Sequence, residues 1–188
     1  MKWIVLVLCI GFLMAKDNLA QQMDNVLVVV NEKPQANLPV RTNNWMGIQG
    51  GGDWEGLAKE QIHPRQLTFN NAEDGVRAGA ISLITRAIRK NNKPELTINQ
   101  IFFEDDAWAE DRESYKMDIL SKGISETNTI DVMDRDKMVE LIKFISNHEM
   151  GPNQYNKLKD VDKTINKALD RAYEYVLSDE YSLKEFIK

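Results

Sequence analysis

From Asn71 onward the apolar residues of this chain recur three and four positions apart, and that spacing leaves room for little except helices packed on one another. Val76, Ala80, Leu83, Ile84, Ala87 and Ile88 form the first stripe. Asn71 stands where an N-cap is needed, and Glu73 and Asp74 place carboxylates in the first turn, where they favour the helix dipole. Asn91-Asn92 and Pro94 close this helix. Thr97 with Gln100 makes a capping box ahead of Ile98, Ile101 and Phe102, so a short helix follows. Another is predicted over 112–122, with Gly123 at its C-terminal end. Asp134 caps a helix that places Met138, Leu141, Ile142 and Ile145 on one face and ends near Glu149-Met150-Gly151. Asp160 or Asp162 begins the last long helix, through Ile165, Leu169, Ala172 and Val176, and a final turn starts at Ser182. One apolar stripe and one charged back per helix describe a compact bundle rather than a coiled coil.

The chain ahead of this bundle has a different character. After Met1-Lys2 an apolar run extends from Trp3 to Ala15 and gives way to Lys16-Asp17-Asn18. One positive charge, an apolar stretch and a small residue follow the pattern of an export signal. The run is shorter than the roughly 20 residues that span a bilayer. The expectation over 1–20 is therefore a hydrophobic N-terminal helix, either a removed signal or a membrane anchor held through Trp3 to Ala15. A connector occupies 21–37, with one possible short strand at Val26-Leu27-Val28-Val29-Val30 that Pro34 terminates. The helical domain occupies 38–188. Between Arg41 and Phe69 lie Gly47, Gly50, Gly51, Gly52 and Gly56, half of the chain's 10 glycines, and this stretch reads as loop and short β-hairpins.

Charge and cysteine usage exclude several classes of function. The formal net charge is -5, and no run of Lys or Arg stands clear of compensating acids, so nucleic acid is not the expected partner. Cys9 is the only cysteine, which excludes a disulfide or a cysteine zinc site within one chain. His148-Glu149 lacks the second histidine of a zinc-protease helix. No metal and no cofactor is expected. Nucleophile-elbow, phosphate-loop and dinucleotide fingerprints are missing from the sequence.

The segment Asn43-Asn44-Trp45-Met46-Gly47-Ile48 … Trp54-Glu55-Gly56 is the most specific in the chain. It resembles the Asn-Asn-x-x-Gly-Ile-Lys … Trp-x-Gly stretch of bacterial cell-wall glucosaminidases of the lysozyme-like superfamily. In those enzymes a hairpin leads to an aromatic element and a helix, and Leu67-Thr68-Phe69 before Asn71 to Ala78 fits that continuation. A longer ordered set is similar to phage-encoded structural proteins: Arg41 to Ile48, Trp54-Glu55-Gly56, Phe69, Gly75-Val76-Arg77-Ala78, Thr97-Ile98, Trp108-Ala109 and His148-Glu149-Met150-Gly151. Trp45-Met46 departs from the Pro-Gly of that pattern, and no proline follows Trp108-Ala109. The resemblance implies a mainly α, lysozyme-like domain with a small Gly-rich hairpin region, located in a virion or the cell envelope. Peptidoglycan and other virion proteins are the partners it implies.

Lysozyme-like hydrolysis uses a carboxylic acid that keeps its proton near neutral pH. The cell-wall glucosaminidases carry theirs upstream of the Asn-Asn segment, where this chain has only Glu32 in the connector. Glu149 is the substitute. The stretch Ile145 to Asn153 is similar to the helix-Glu-Ser-Gly-x-Asn-Pro stretch around the acid of lytic transglycosylases, with the two motifs in reversed order, as a circular permutation would leave them. A glutamate at a buried helix C-terminus has its proton favoured by desolvation and by the negative helix end. Around it the expected glycan-binding residues are Asn43, Asn44, Gly47, Asp53 and Trp54. Trp45, Trp54 and Trp108 are read either as sugar-stacking faces or as core packing. Two functions stay open: a virion-associated peptidoglycan glycosidase, and a structural virion protein that keeps the scaffold without chemistry.

Overall fold

A computed structural model describes residues 37–50, 52–104, 108 and 111–178. The hydrophobic segment expected at 1–20, the strand expected at Val26 to Val30 and the turn expected at Ser182 lie outside these residues. The described elements are α1 (Leu38–Arg41), α2 (Ala72–Asn91), β1 (Glu95–Thr97), α3 (Ile98–Phe102), α4 (Arg112–Ser121), β2 (Thr129–Asp131), α5 (Arg135–Met150), α6 (Pro152–Tyr155) and α7 (Val161–Leu177). The fold is mainly helical, with one small antiparallel sheet in which Glu95, Leu96 and Thr97 face Asp131, Ile130 and Thr129. No helix among the described residues is long and apolar enough to cross a membrane.

The capping chemistry explains where helices begin. The Asn71 side chain accepts from the amide of Asp74 at 3.0 Å. Thr97 and Gln100 form the complete capping box on α3. Asp111 starts α4 and Asp134 starts α5 in the same way, accepting from Ser114 and Lys137. At α7 the N-cap position is Asp160, whose backbone is left-handed (φ 54°) and whose side chain makes no cap bond.

Two expectations needed correction. The Gly-rich stretch does not form continuous hairpins; it holds two isolated antiparallel bridges, Gln49 with Gln66 and Leu57 with Phe69. The residues that do form a sheet, 95–97 and 129–131, are too short and too mixed to stand out by alternation. The second correction concerns α2, which has no charged back over most of its length. Thirteen of its 20 residues are buried, among them Asp74, Arg77 and Arg86, so it is the central helix of the bundle. Both of its buried arginines have protein partners, although Nε of Arg77 has none among the described residues. Arg86 donates from Nε and Nη2 to the carbonyl of Gln100, at 3.1 and 2.7 Å. α7 lies along α2 and buries Ile165, Ala168, Leu169, Ala172 and Val176.

The loop 43–48 lies against α2 at a separation that only glycine permits. A Cβ at Gly75 would sit 2.1 Å from the carbonyl oxygen of Asn43, and one at Gly79 would sit 2.3 Å from Sδ of Met46. Trp45, Met46 and Ile48 are buried in this contact. A second tie crosses from α7. Arg171 donates to Glu73 at 2.9 Å, to Asp74 at 2.8 Å and to Glu55 at 2.9 Å, and Arg77 pairs with the other oxygen of Glu55 at 2.9 Å. The Trp54-Glu55-Gly56 turn is thereby fastened to both long helices.

Gly75→Ala should destabilise the fold even though alanine is the better helix former by about 1 kcal/mol. Its methyl has to displace a backbone carbonyl, and such overpacking costs about 1–3 kcal/mol. The expected result is a lower midpoint of thermal unfolding by circular dichroism; an unchanged or higher midpoint would show that the loop yields freely.

Candidate active site

Glu149 is the penultimate residue of α5, where the last carbonyls of the helix have no intrahelical partners. Its Oε1 accepts a hydrogen bond of 2.7 Å from the phenol of Tyr115 on α4. Its Oε2 lies under the loop: a Cβ built on Gly47 would be 2.8 Å from it. Gly47 also has φ +68°, a backbone conformation that side chains disfavour, so glycine is required there twice over. The carboxyl group is thus held on one oxygen by a tyrosine and approached on the other by bare backbone.

Tyr115 is itself fixed by its ring. It stacks on Phe102 with centroids 4.7 Å apart, and Phe144 closes the cluster at 5.8 Å from Phe102 and 6.1 Å from Tyr115. The imidazole of His148 lies over the tyrosine at 3.7 Å, and its Nδ1 is 2.6 Å from Oδ2 of Asp118. Burial, followed by the field of Glu149 and the bond to it, pushes the Tyr115 phenol far above its ordinary range. It therefore stays a neutral donor at any working pH.

The net effect on Glu149 is a raised pKa. Desolvation is the largest cause, and it outweighs both the Tyr115 hydrogen bond and the field of His148, which favour the carboxylate. None of the groups that shift Glu149 is another carboxylate. What the arrangement can do chemically is hold a proton on a half-buried carboxyl and present it toward the loop, the property of a general acid.

The structure assigns distinct places to the other residues singled out from the sequence. Asn44 is fully buried and its amide serves the loop: Nδ2 donates to Ile48 and Leu67 carbonyls at 2.8 and 2.9 Å, while Oδ1 accepts from the amide of Ile48 at 2.8 Å. Asn43, with φ +53°, donates to the carbonyl of Phe69 at 3.0 Å. Gly47 meets the Glu149 carboxylate directly. Trp54 is half-buried against both apolar clusters of the domain, and its Nε1 is buried with no partner among the described residues. Asp53 is exposed and enters none of the interactions at Glu149.

One neighbour of the site was not singled out from the sequence. In the sequence Tyr115 is one residue of the helix predicted over 112–122; with Ile119 it forms the buried i, i+4 stripe of α4. A tyrosine on such a stripe needs a partner for its hydroxyl, and that requirement is the signal that points to it. Trp108 donates from Nε1 to the carbonyl of Met46 at 2.9 Å and so pins the loop one residue before Gly47. Among the described residues no group of three His, Cys, Asp or Glu is arranged to hold a metal ion. In comparisons with known proteins, no family model matches this chain and no curated relative matches it.

Because burial raises the pKa of Glu149, the folded protein keeps that proton to a higher pH than the unfolded chain does. The favourable contribution is complete in acid, below the unfolded glutamate range, and is lost as pH rises through the folded pKa. Glu149→Gln removes the titration. Its melting temperature relative to wild type should therefore rise from pH 4 to pH 8. A difference that stays flat across that range would show that the carboxyl titrates as in water.

Proposed function

We propose that this chain is a phage virion-associated protein with a lysozyme-like domain that cleaves the glycan strands of peptidoglycan during entry or lysis. The observation that carries the reading is the Glu149 carboxyl, seated at the C-terminal end of α5 and bonded to Tyr115, with its second oxygen under Gly47. The ordered motifs from Arg41 to Gly151 support the lysozyme-like assignment, and the reversed order of loop and acid fits a permuted arrangement. In this reading Tyr115 occupies Oε1, so the transferable proton resides on Oε2, facing the loop. A glycosidic oxygen that reaches Oε2 beside Gly47 receives that proton as the bond to the sugar carbon breaks. The resulting carboxylate is stabilised by Tyr115 and His148, and then takes a proton from the incoming hydroxyl. That hydroxyl is water in a muramidase and the sugar's own in a lytic transglycosylase.

A second reading, a structural virion protein without chemistry, is favoured by one observation. The polar groups of Asn43 and Asn44, which anchor the resemblance, are spent on the fold and not on a cleft.

Zymography on purified peptidoglycan separates the two. Wild type should clear the gel, and Glu149→Gln should lower the rate by about 10²–10⁴-fold, the usual worth of a positioned general acid. Clearing by neither protein would leave the structural reading, and equal clearing by both would remove Glu149 as the acid. Tyr115→Phe gives a finer check: without the donor the Glu149 carboxylate is less favoured, so the alkaline limb of the pH–rate profile should move upward. A fixed limb with only a lower rate would make Tyr115 a packing residue.

A further inference from the structure

On the far side of α5 from Glu149 the domain holds a cavity of about 720 Å³, within the range of ligand pockets. Its floor is apolar, formed by Ile98, Phe102, Ile119 and Leu141, and Phe144 and Tyr155 add aromatic walls. Three carboxamides reach it from separate elements: Asn147 from α5, Asn156 from the end of α6 and Asn128 from the loop before β2. Their side chains make no hydrogen bond among the described residues, in contrast to Asn44, Asn91 and Asn166, whose amides are committed to the fold. The charges on the rim also divide in two. Lys143 is paired with Glu140 and Asp162, and Lys137 with Asp134. Lys122 has the Phe144 ring at 5.9 Å as its partner, and Asp136 has no ion pair among the described residues.

We infer that this cavity is a second binding site, one that takes a short zwitterionic peptide. Each part of the lining answers one part of such a ligand. The asparagine amides match peptide N–H and C=O groups, which need donor and acceptor together. Lys122 meets a carboxylate, Asp136 meets an amine, and the aliphatic floor takes methyl and methylene groups. A glycan fits less well, since its hydroxyl-rich rings have few partners on a floor of isoleucine and leucine. An acyl chain would leave three amides and an acid unused. On the proposed reading of the Glu149 site, the natural source of such a peptide is the stem peptide of the cell wall. Phe102 and Phe144 belong both to this cavity and to the cluster that holds Tyr115, so one aromatic wall separates the two sites.

The test is a titration of ¹⁵N-labelled protein with a synthetic tetrapeptide of alanine, D-glutamate, lysine and D-alanine, following the asparagine side-chain amides. Saturable shifts of Asn147 and Asn156 are expected. Lys122→Glu, an exposed change that leaves the backbone spectrum intact, should weaken binding about fivefold. Chito-oligosaccharide and decanoate, run as parallel arms, should leave those amides unmoved. No shift with the peptide, a shift indifferent to Lys122→Glu, or a shift with either alternative ligand instead would overturn the site. In digestion, Lys122→Glu should slow cleavage of intact peptidoglycan and leave cleavage of peptide-stripped glycan unchanged. Wild type that cleaves neither polymer would defeat the glycosidase reading, while the titration decides the peptide site on its own.

Discussion

The bundle is organised around two side chains that are not there. Gly75 and Gly79 lie one turn apart on the same face of α2, and together they open a trough into which the Asn43 carbonyl and the Met46 side chain descend. A larger residue at Gly75 would have to displace the backbone of the 43–48 loop, and one at Gly79 the side chain of Met46. Because Gly47 belongs to that loop, its height above α2 also sets how closely backbone approaches the Glu149 carboxylate. A central helix normally gains stability from large apolar side chains, and two glycines in its interior each weaken it by up to about 1 kcal/mol. Here the loss is offset by burying Trp45, Met46 and Ile48.

The second tie is electrostatic. Arg171 gathers Glu55, Glu73 and Asp74, and without it three carboxylates would face one another with only Arg77 in reply. Asp74 is buried and also accepts from the Asn71 amide at 2.8 Å, so the pair with Arg171 is hydrogen-bonded on both sides. Removing Arg171 would leave the buried carboxylate of Asp74 without that cation, which is costlier than losing the pair with the exposed Glu55. The Trp54 turn therefore depends on Arg171 of α7, 116 residues downstream of Glu55, as directly as on α2. The loop and the helices are one unit.

The parts of the fold that were legible in the sequence are those whose signals are local. Asn71, Thr97 with Gln100, and Asp134 each satisfy helix amides within three residues, and the helices start where these residues stand. The depth of α2 was not legible, because Arg77 and Arg86 look like solvent-facing positions until their distant partners are known. The same holds for the site. Glu149 could be picked out from its place before Gly151 at a helix end, and Gly47 from its motif. Tyr115 could not be linked to Glu149, since they stand 34 positions apart with no periodicity that closes the distance. Asn43 and Asn44 illustrate the reverse case. A distinctive motif drew attention to them, and the chemistry that makes the motif distinctive proves to be the shaping of a loop.

The partner of Glu149 is a tyrosine and not a cation, and that is compatible with the raised pKa of its carboxyl. A lysine or arginine would hold the carboxyl in place equally well, but a full positive charge at hydrogen-bond distance lowers a carboxylate pKa by about 1–3 units. That would undo the effect of burial. A buried phenol supplies the geometry without the charge, and the Phe102 and Phe144 rings keep it from turning away. The imidazole of His148 stands one step further off, engaged with Asp118, whose negative charge tempers its influence on the site. The helix end contributes in the same direction as burial, since its unpaired carbonyls disfavour a negative charge. Every near neighbour of Glu149 is thus either neutral or compensated. The pKa of the carboxyl is raised because burial outweighs the donor that orients it and the field of His148.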